Sequence, residues 1–177
     1  MQPQGFTLIE LMICTVILAI ILGLGIPSFS DQIRDVRTKV AMHELLRTIE
    51  SARTLAVTSN KRTVLLANQE DWSQGWTLFI DENDDGELNG GETLKQHKAA
   101  LTKVKINANT HVKKYISFIG TGEGRKVGLH NAGAFQVGTI KICPDTEGSG
   151  YALVLSRGGR TRVEKLSSAA CDTARQS

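Results

Sequence analysis

Residues 5–26 read GFTLIELMICTVILAIILGLGI, and the 21 residues from Phe6 to Ile26 carry a single charged side chain, Glu10. At ~1.5 Å per residue, a helix of this length reaches ~31 Å, enough to cross the hydrocarbon of a bilayer. A secretory signal peptide would need a basic n-region, a shorter apolar run and a small-x-small cleavage site. None of these is present, and Leu22, Leu24 and Ile26 carry the apolar run to its end. The stretch therefore predicts an uncleaved membrane helix over residues 6–27. A carboxylate at a helix centre in lipid costs about 2.5–3.5 kcal/mol on insertion scales, and less toward the end. Glu10 accordingly needs a function and a partner.

Outward from this run, Pro27 removes a backbone donor and predicts a kink. Beyond it Phe29, Ile33, Val36, Val40, Ile49, Ala52 and Ala56 fall at helical spacing, with Leu45 and Leu46 filling the gap. Arg34, Arg37, Lys39, Glu44, Arg47 and Arg53 take the opposite face, so an amphipathic helix over residues 28–59 is expected to pack on a core. Residues 60–177 read as β-rich. Candidate strands are Arg62–Ala67, Gly75–Ile80, Thr102–Ala108, Tyr115–Ile119, Ala134–Cys143, Tyr151–Ser156 and Arg160–Lys165. One long helix followed by short strands predicts an α+β fold, with an antiparallel β-rich domain on the second half of the helix.

The 177 residues suit one domain with an appendage, and 41% hydrophobic with 22% charged residues exclude a disordered polymer. Three Cys and four His are too few for a disulfide scaffold and leave little for a zinc cluster. The net charge of +3 hides a split: up to Leu94 the chain carries −6, and from Lys95 onward +9. A basic second half points to an anionic partner. His43, His97, His111 and His130 are scattered, and no nucleophile–base pair follows from spacing, so no enzyme is expected. Gly120-Thr121-Gly122-Glu123-Gly124-Arg125-Lys126 lacks the order of a phosphate loop and reads as a hairpin turn.

Gly5-Phe6-Thr7-Leu8-Ile9-Glu10 resembles the processing site of type IV prepilins and type II secretion pseudopilins. The resemblance implies that a membrane peptidase cuts after Gly5, releasing the leader 1–5, and N-methylates Phe6. It further implies that Glu10 pairs with the terminal ammonium of a neighbouring subunit. The leader departs from the pattern in lacking Lys or Arg. The layout as a whole, a membrane helix 6–27 and a head 28–177, is similar to the GspH/FimT subgroup of minor pilins and pseudopilins. Other pilins, the prepilin peptidase and the inner membrane are the partners this implies. The chain would be a single-pass inner-membrane protein before assembly and part of an extracytoplasmic filament afterwards.

Asp81, Asn83, Asp85, Gly86 and Glu92 fit D-x-[DN]-x-[DN]-G-x5-E, an oxygen-ligand pattern for calcium. The preceding Trp76–Ile80 reads as a strand where an EF-hand has a helix. A plain acidic turn is the expectation, with calcium the alternative and no other cofactor implied. Cys143 and Cys171 lie in the part expected outside the cytoplasm, and the family resemblance implies a disulfide between them, although spacing alone does not fix connectivity. Cys14 lies within the membrane helix.

Gly158-Gly159-Arg160-Thr161-Arg162 predicts a turn followed by two guanidinium groups on one strand face, with Arg157 and Lys165 widening the patch. Gly159-Arg160-Thr161-Arg162 resembles the GRxR motif of DNA-binding minor pilins in this subgroup. That implies contact with double-stranded DNA, without sequence preference, during natural transformation. Aromatics make up 5% of the chain, too few for a base-stacking single-strand groove. The alternative is a purely structural role, as an initiator pilin or a pseudopilin of type II secretion.

Overall fold

The apolar N-terminal run and the amphipathic segment after it join as one helix, α1 (Leu8–Ser59), in a computed structural model that describes residues 5–128 and 133–175, with backbone alone for 24–28. The leader residues 1–4 and His130 lie outside the described residues. So do the side chains around Pro27, where the kink is expected, although the backbone stays helical there. Thr7 caps the helix: its hydroxyl accepts the backbone N–H of Glu10, and Glu10 in the first turn suits the positive end of the helix dipole. At the far end Asn60 takes a left-handed conformation (φ 50°) that stops the helix at the expected place. Among the described residues no helix is long and apolar enough to cross a membrane. The described side chains of the run stop at Gly23, short of its end in the sequence.

The chain divides into one unit up to Arg34 and another from Asp35 onward. Among its described residues the second unit holds two four-stranded antiparallel sheets. The first has the order β3-β2-β1-β5, with β1 Arg62–Ala67, β2 Trp76–Asp81, β3 Thr93–Lys98 and β5 Tyr115–Phe118. The second has the order β4-β6-β7-β8, with β4 Val104–Ala108, β6 Gly138–Pro144, β7 Gly150–Leu155 and β8 Thr161–Leu166. A short helix, α2 (Ser168–Arg175), closes the described chain.

Leu45, Ile49, Ala52 and Ala56 of α1 share one buried cluster with Leu65, Trp76 and Ile116 of the first sheet and Ile106, Ile140 and Leu153 of the second. The two indoles entering this core keep a polar partner each. Trp72 donates to the Val112 carbonyl at 3.0 Å and Trp76 to the Thr48 hydroxyl at 3.3 Å.

The helix departs from the expected single apolar face. Phe29, Ile33, Val36 and Val40 are 67%, 45%, 53% and 50% exposed, while burial falls on Thr38, Ala41, Met42, Leu45, Thr48, Ile49, Ala52 and Ala56. At 3.6 residues per turn, the Phe29–Val40 stripe lies about 160° around the helix from the Leu45–Ala56 stripe. Both are helically periodic, so spacing alone merged them. β3 escaped the sequence reading for a different reason. It is an edge strand with one large apolar residue, Leu94, and no alternation. β4 starts two residues late because Lys103 is left-handed (φ 60°), and β6 starts at Gly138, with Phe135 forming only an isolated bridge to Arg125.

Cys143 and Cys171 are bonded, with their Cα atoms 5.6 Å apart, and pin α2 to β6 through a small buried cluster with Ala174. The bridge closes a separation of 28 residues, worth about 3–4 kcal/mol in the chain-entropy model. Cys143→Ala with Cys171→Ala should lower the unfolding free energy by that amount, read in urea titrations with and without the pair.

Candidate functional site

Three groups of side chains are expected from the sequence to act: one in the N-terminal unit and two in the second. At the N-terminus Gly5, Phe6 and Thr7 precede the helix, so the Gly5–Phe6 bond is not locked in helical hydrogen bonds. A Cβ at Gly5 would meet nothing within 4 Å, and Phe6 is 87% exposed. Glu10 follows one turn into α1, also exposed.

The acidic loop follows β2. The Asp81 carboxylate is buried and accepts the backbone N–H groups of Asp85 and Gly86. Asp85 accepts from the Glu87 backbone and from the Asn83 and Asn89 amides. Glu92 accepts from the backbone of Glu82 and Asn89. Carboxylate oxygens of Asp81, Asp85 and Glu92 come within 4.8 Å of one another, whereas Asn83 joins through its bond to Asp85. Arg62 ties the loop to the sheet through Asp84 and the Ser117 hydroxyl. The donors of the loop thus already hold these carboxylates in a turn.

Burial first, then the charges of Glu92 and Asp84, push the Asp81 carboxyl up, against the lowering effect of the Gly86 and Asp84 N–H groups. The Glu87 N–H foremost holds Asp85 down. The two therefore act in opposite senses. The folded chain binds the Asp81 proton more tightly than the unfolded chain, so its contribution is full below about pH 3.8 and fades as pH rises through the raised value. Asp85 contributes above 3.8, and its contribution fades as pH falls through the lowered value. Glu92→Gln should bring the Asp81 titration down, followed by its carboxyl carbon shift. Melting curves should be the same in millimolar calcium and in chelator. A calcium-dependent rise that Asp85→Ala abolishes would make the loop a metal site.

The basic turn joins β7 to β8. Gly159 is buried at φ 73°, and a Cβ there would lie 2.2 Å from the Gly122 carbonyl oxygen, so only glycine fits. The Gly159 N–H donates to the Ser156 carbonyl at 3.0 Å, and the Ser156 N–H to the Arg160 carbonyl at 2.9 Å. The Gly122 turn, the expected hairpin of the Gly-rich run, packs directly against it. Arg53 of α1 bridges the two turns, its Nε donating to the Gly122 carbonyl at 2.9 Å and a terminal nitrogen to the Gly158 carbonyl at 3.2 Å. Arg53 is therefore no solvated face residue, as its helical position suggested. A charged residue on the polar side of a helix carries no sequence sign of such a clamp.

Arg157 and Arg160 are exposed, with no side-chain partner among the described residues. Arg162 pairs with Glu164 on the same strand face at 2.6 Å, both largely exposed. By strand alternation Arg162 stands opposite Val154 and Glu164 opposite Ala152, on the sheet face away from Leu153 and Leu155. Lys165 falls on the other face of β8, opposite Tyr151, in a 220 Å³ cleft with Asp35, Ser149 and Leu166. Arg157 and Arg160 thus lie exposed in the turn and Arg162 follows on the outward face of β8, whereas Lys165 stands on the opposite face.

The family model for the type II transport protein GspH matches residues 41–159, two thirds of the chain. The chain belongs to the GspH family. The prokaryotic N-terminal methylation motif matches residues 1–26, over the segment with Gly5, Phe6 and Glu10. No curated protein matches the chain. Two crystal forms of the type IV minor pilin FimU from Pseudomonas aeruginosa share the fold. They are 19% and 21% identical, with TM-scores of 0.55 and 0.52, covering 72% and 71% of this chain and 87% and 91% of theirs. The protein is thus a GspH-family pilin or pseudopilin with the α+β pilin fold expected from its sequence. The GspH match stops at Gly159, so Arg160 and Arg162 stand outside the matched residues.

Proposed function

We propose that this GspH-family protein is a minor pilin of a type IV pilus, placed near the filament tip, that binds duplex DNA through Arg160 and Arg162 for DNA uptake. In this reading the prepilin peptidase cuts after Gly5 and methylates Phe6. The chain resides in the inner membrane through residues 6–27 and then enters an extracytoplasmic filament beside other pilins, with no catalytic role of its own. The carrying observation is the clamp. Arg53 and the Gly122 turn hold the Gly158-Gly159 backbone, so the guanidinium groups are presented by a braced turn rather than a loose tail. Guanidinium suits phosphate oxygens bidentately, and a preformed turn loses little entropy on binding.

The test is salt-dependent binding of a fluorescent duplex by the mature chain in non-ionic detergent, compared with the Arg160→Gln, Arg162→Gln variant. A wild-type chain that shows no salt-dependent binding leaves the purely structural pilin or pseudopilin. The Arg162–Glu164 pair adds a sharper expectation. Glu164 is the one carboxylate among the described strand residues on that outward face, and exposed pairs are worth about 0.2–1 kcal/mol. Glu164→Gln frees Arg162 and removes a repulsion for phosphate, so affinity for duplex DNA should rise about two- to fivefold at low salt.

A further inference from the structure

The outward face of the second sheet continues away from β8. Along β4 and β6 the outward positions are Lys105, Asn107, Thr139, Lys141 and Cys143, because Ile106, Ile140 and Ile142 alternate with them into the core, and the bridge from Cys143 to Cys171 seats α2 on the Cys143 end of this face. Asn107 stands directly opposite Lys141, and Ala152 of β7 and then Glu164 of β8 follow in the same row. Thr139, Val154 and Arg162 form the next row.

On the β4–β6 side of this face lies a cavity of about 430 Å³ lined by Asn107, Asn109, Thr110, Lys113, Thr139, Lys141 and Thr173 together with two alanines. It holds two ammonium groups, three hydroxyls and two amides and, among the described residues, no carboxylate. Neither Lys113 nor Lys141 has an ion-pair partner among the described residues. Glu70 and Asp71 line the adjoining 350 Å³ cleft, which Lys113 and Asn107 border as well. Glu70 is engaged by Lys114, and Asp71 accepts the Ser73 N–H. The Asn107 amide and the Thr173 hydroxyl are spent on the Ala174 and Ala169 carbonyls, so the two ammonium groups, with the Thr110 and Thr139 hydroxyls beside them, are what the concavity offers to phosphate oxygens.

We infer that Lys113 and Lys141 form a second phosphate-binding site, which engages the backbone of the same DNA duplex as the Arg160–Arg162 turn; this rests on the reading proposed above. The spacing supports a shared duplex. β8 and β6 are two strands apart and Arg162 and Lys141 lie in adjacent outward rows, so at about 4.8 Å per strand and ~3.4 Å per residue their backbones are roughly 12 Å from each other. That span matches the ~12 Å width of the major groove, so one site can meet each bordering strand. Two sites that hold separate backbones fix the orientation of the duplex, which a single turn cannot do. Neither site reads a base, so the pair predicts orientation without sequence preference.

The test uses the mature full chain in non-ionic detergent and a 30-base-pair fluorescent duplex, titrated from 50 to 200 mM salt. Lys113→Gln with Lys141→Gln should flatten the log–log salt slope by about 1.8, and by the same amount when added to the Arg160→Gln, Arg162→Gln variant. Lys113→Arg with Lys141→Arg should keep the wild-type slope, and circular dichroism melts should show all variants folded. If the lysine variant keeps the wild-type slope while the arginine variant loses its share, the second site is overturned and the first stands. If the arginine variant keeps its slope and the lysine variant loses it, the proposed role of the turn falls and this cavity remains. A wild-type chain that does not bind the duplex at all overturns both.

Discussion

Replacing Arg160 and Arg162 together by Gln should cost the protein most of its hold on DNA while leaving its fold intact. Sequence-independent binding at physiological salt has dissociation constants on the order of 10⁻⁴–10⁻⁶ M, carried by phosphate contacts that release counterions. Each contact contributes about 0.9 to the log–log salt slope, so two lost contacts flatten it by about 1.8. Binding should weaken alike on every duplex sequence, since backbone contacts carry no base information. The melting temperature should barely move, because Arg160 has no side-chain partner among the described residues, Arg162 loses only an exposed pair, and such changes shift stability by about 0.5 kcal/mol or less. In cells the variant should still enter filaments yet fail in DNA uptake. A variant that binds DNA with the wild-type slope would remove the turn from the interface.

Changes at the other end should abolish assembly without touching the head. Gly5 replaced by a bulky residue should leave an uncut precursor in the inner membrane, because the peptidase needs a small residue before the Gly5–Phe6 bond. The readout is band length after membrane fractionation, and a mature-length band would count against processing at this bond. Glu10→Val should insert at least as well as wild type, since it takes a charge out of lipid. Its filaments should nevertheless lack the subunit, because the neighbour's terminal ammonium has no counter-charge. Wild-type incorporation of Glu10→Val would sink the pairing.

The α+β architecture was readable because it rests on signals local in sequence: an uninterrupted apolar run, a 3.6-residue period, and strands of apolar and β-branched residues between turn formers. Arg62–Ala67 shows this best, being a buried central strand that reads as a short apolar run with β-branched Thr63 and Val64, set between the Asn60 and Asn68 turn formers. β3 and α2 were not readable, since Thr93–Lys98 is an exposed edge held by backbone pairing, and Ser168–Arg175 is fixed by a disulfide to a strand far away in sequence. The Gly159 turn was legible as a turn, but not its brace. Arg53 and Gly122 reach it from 106 and 37 residues away, and no local pattern records such an approach. Lys113 and Lys141 were invisible for the same reason: two lysines on a loop and a strand become neighbours only when β4 pairs with β6.

The two opposed apolar stripes of α1 also divide its mutations by the assay able to see them. A Leu45 or Ile49 change empties the chain's own core, so a melt of the purified protein reports it, at a cost of about 2–5 kcal/mol for truncation to Ala. A change at Ile33 or Val36 removes surface that is already half in water and leaves such a melt almost unmoved. A library screened for folded chain alone would therefore erase the outer stripe freely while preserving the inner one. In a chimera of relatives, the inner stripe has to travel with its own sheets, whereas the outer one can be exchanged independently of the head.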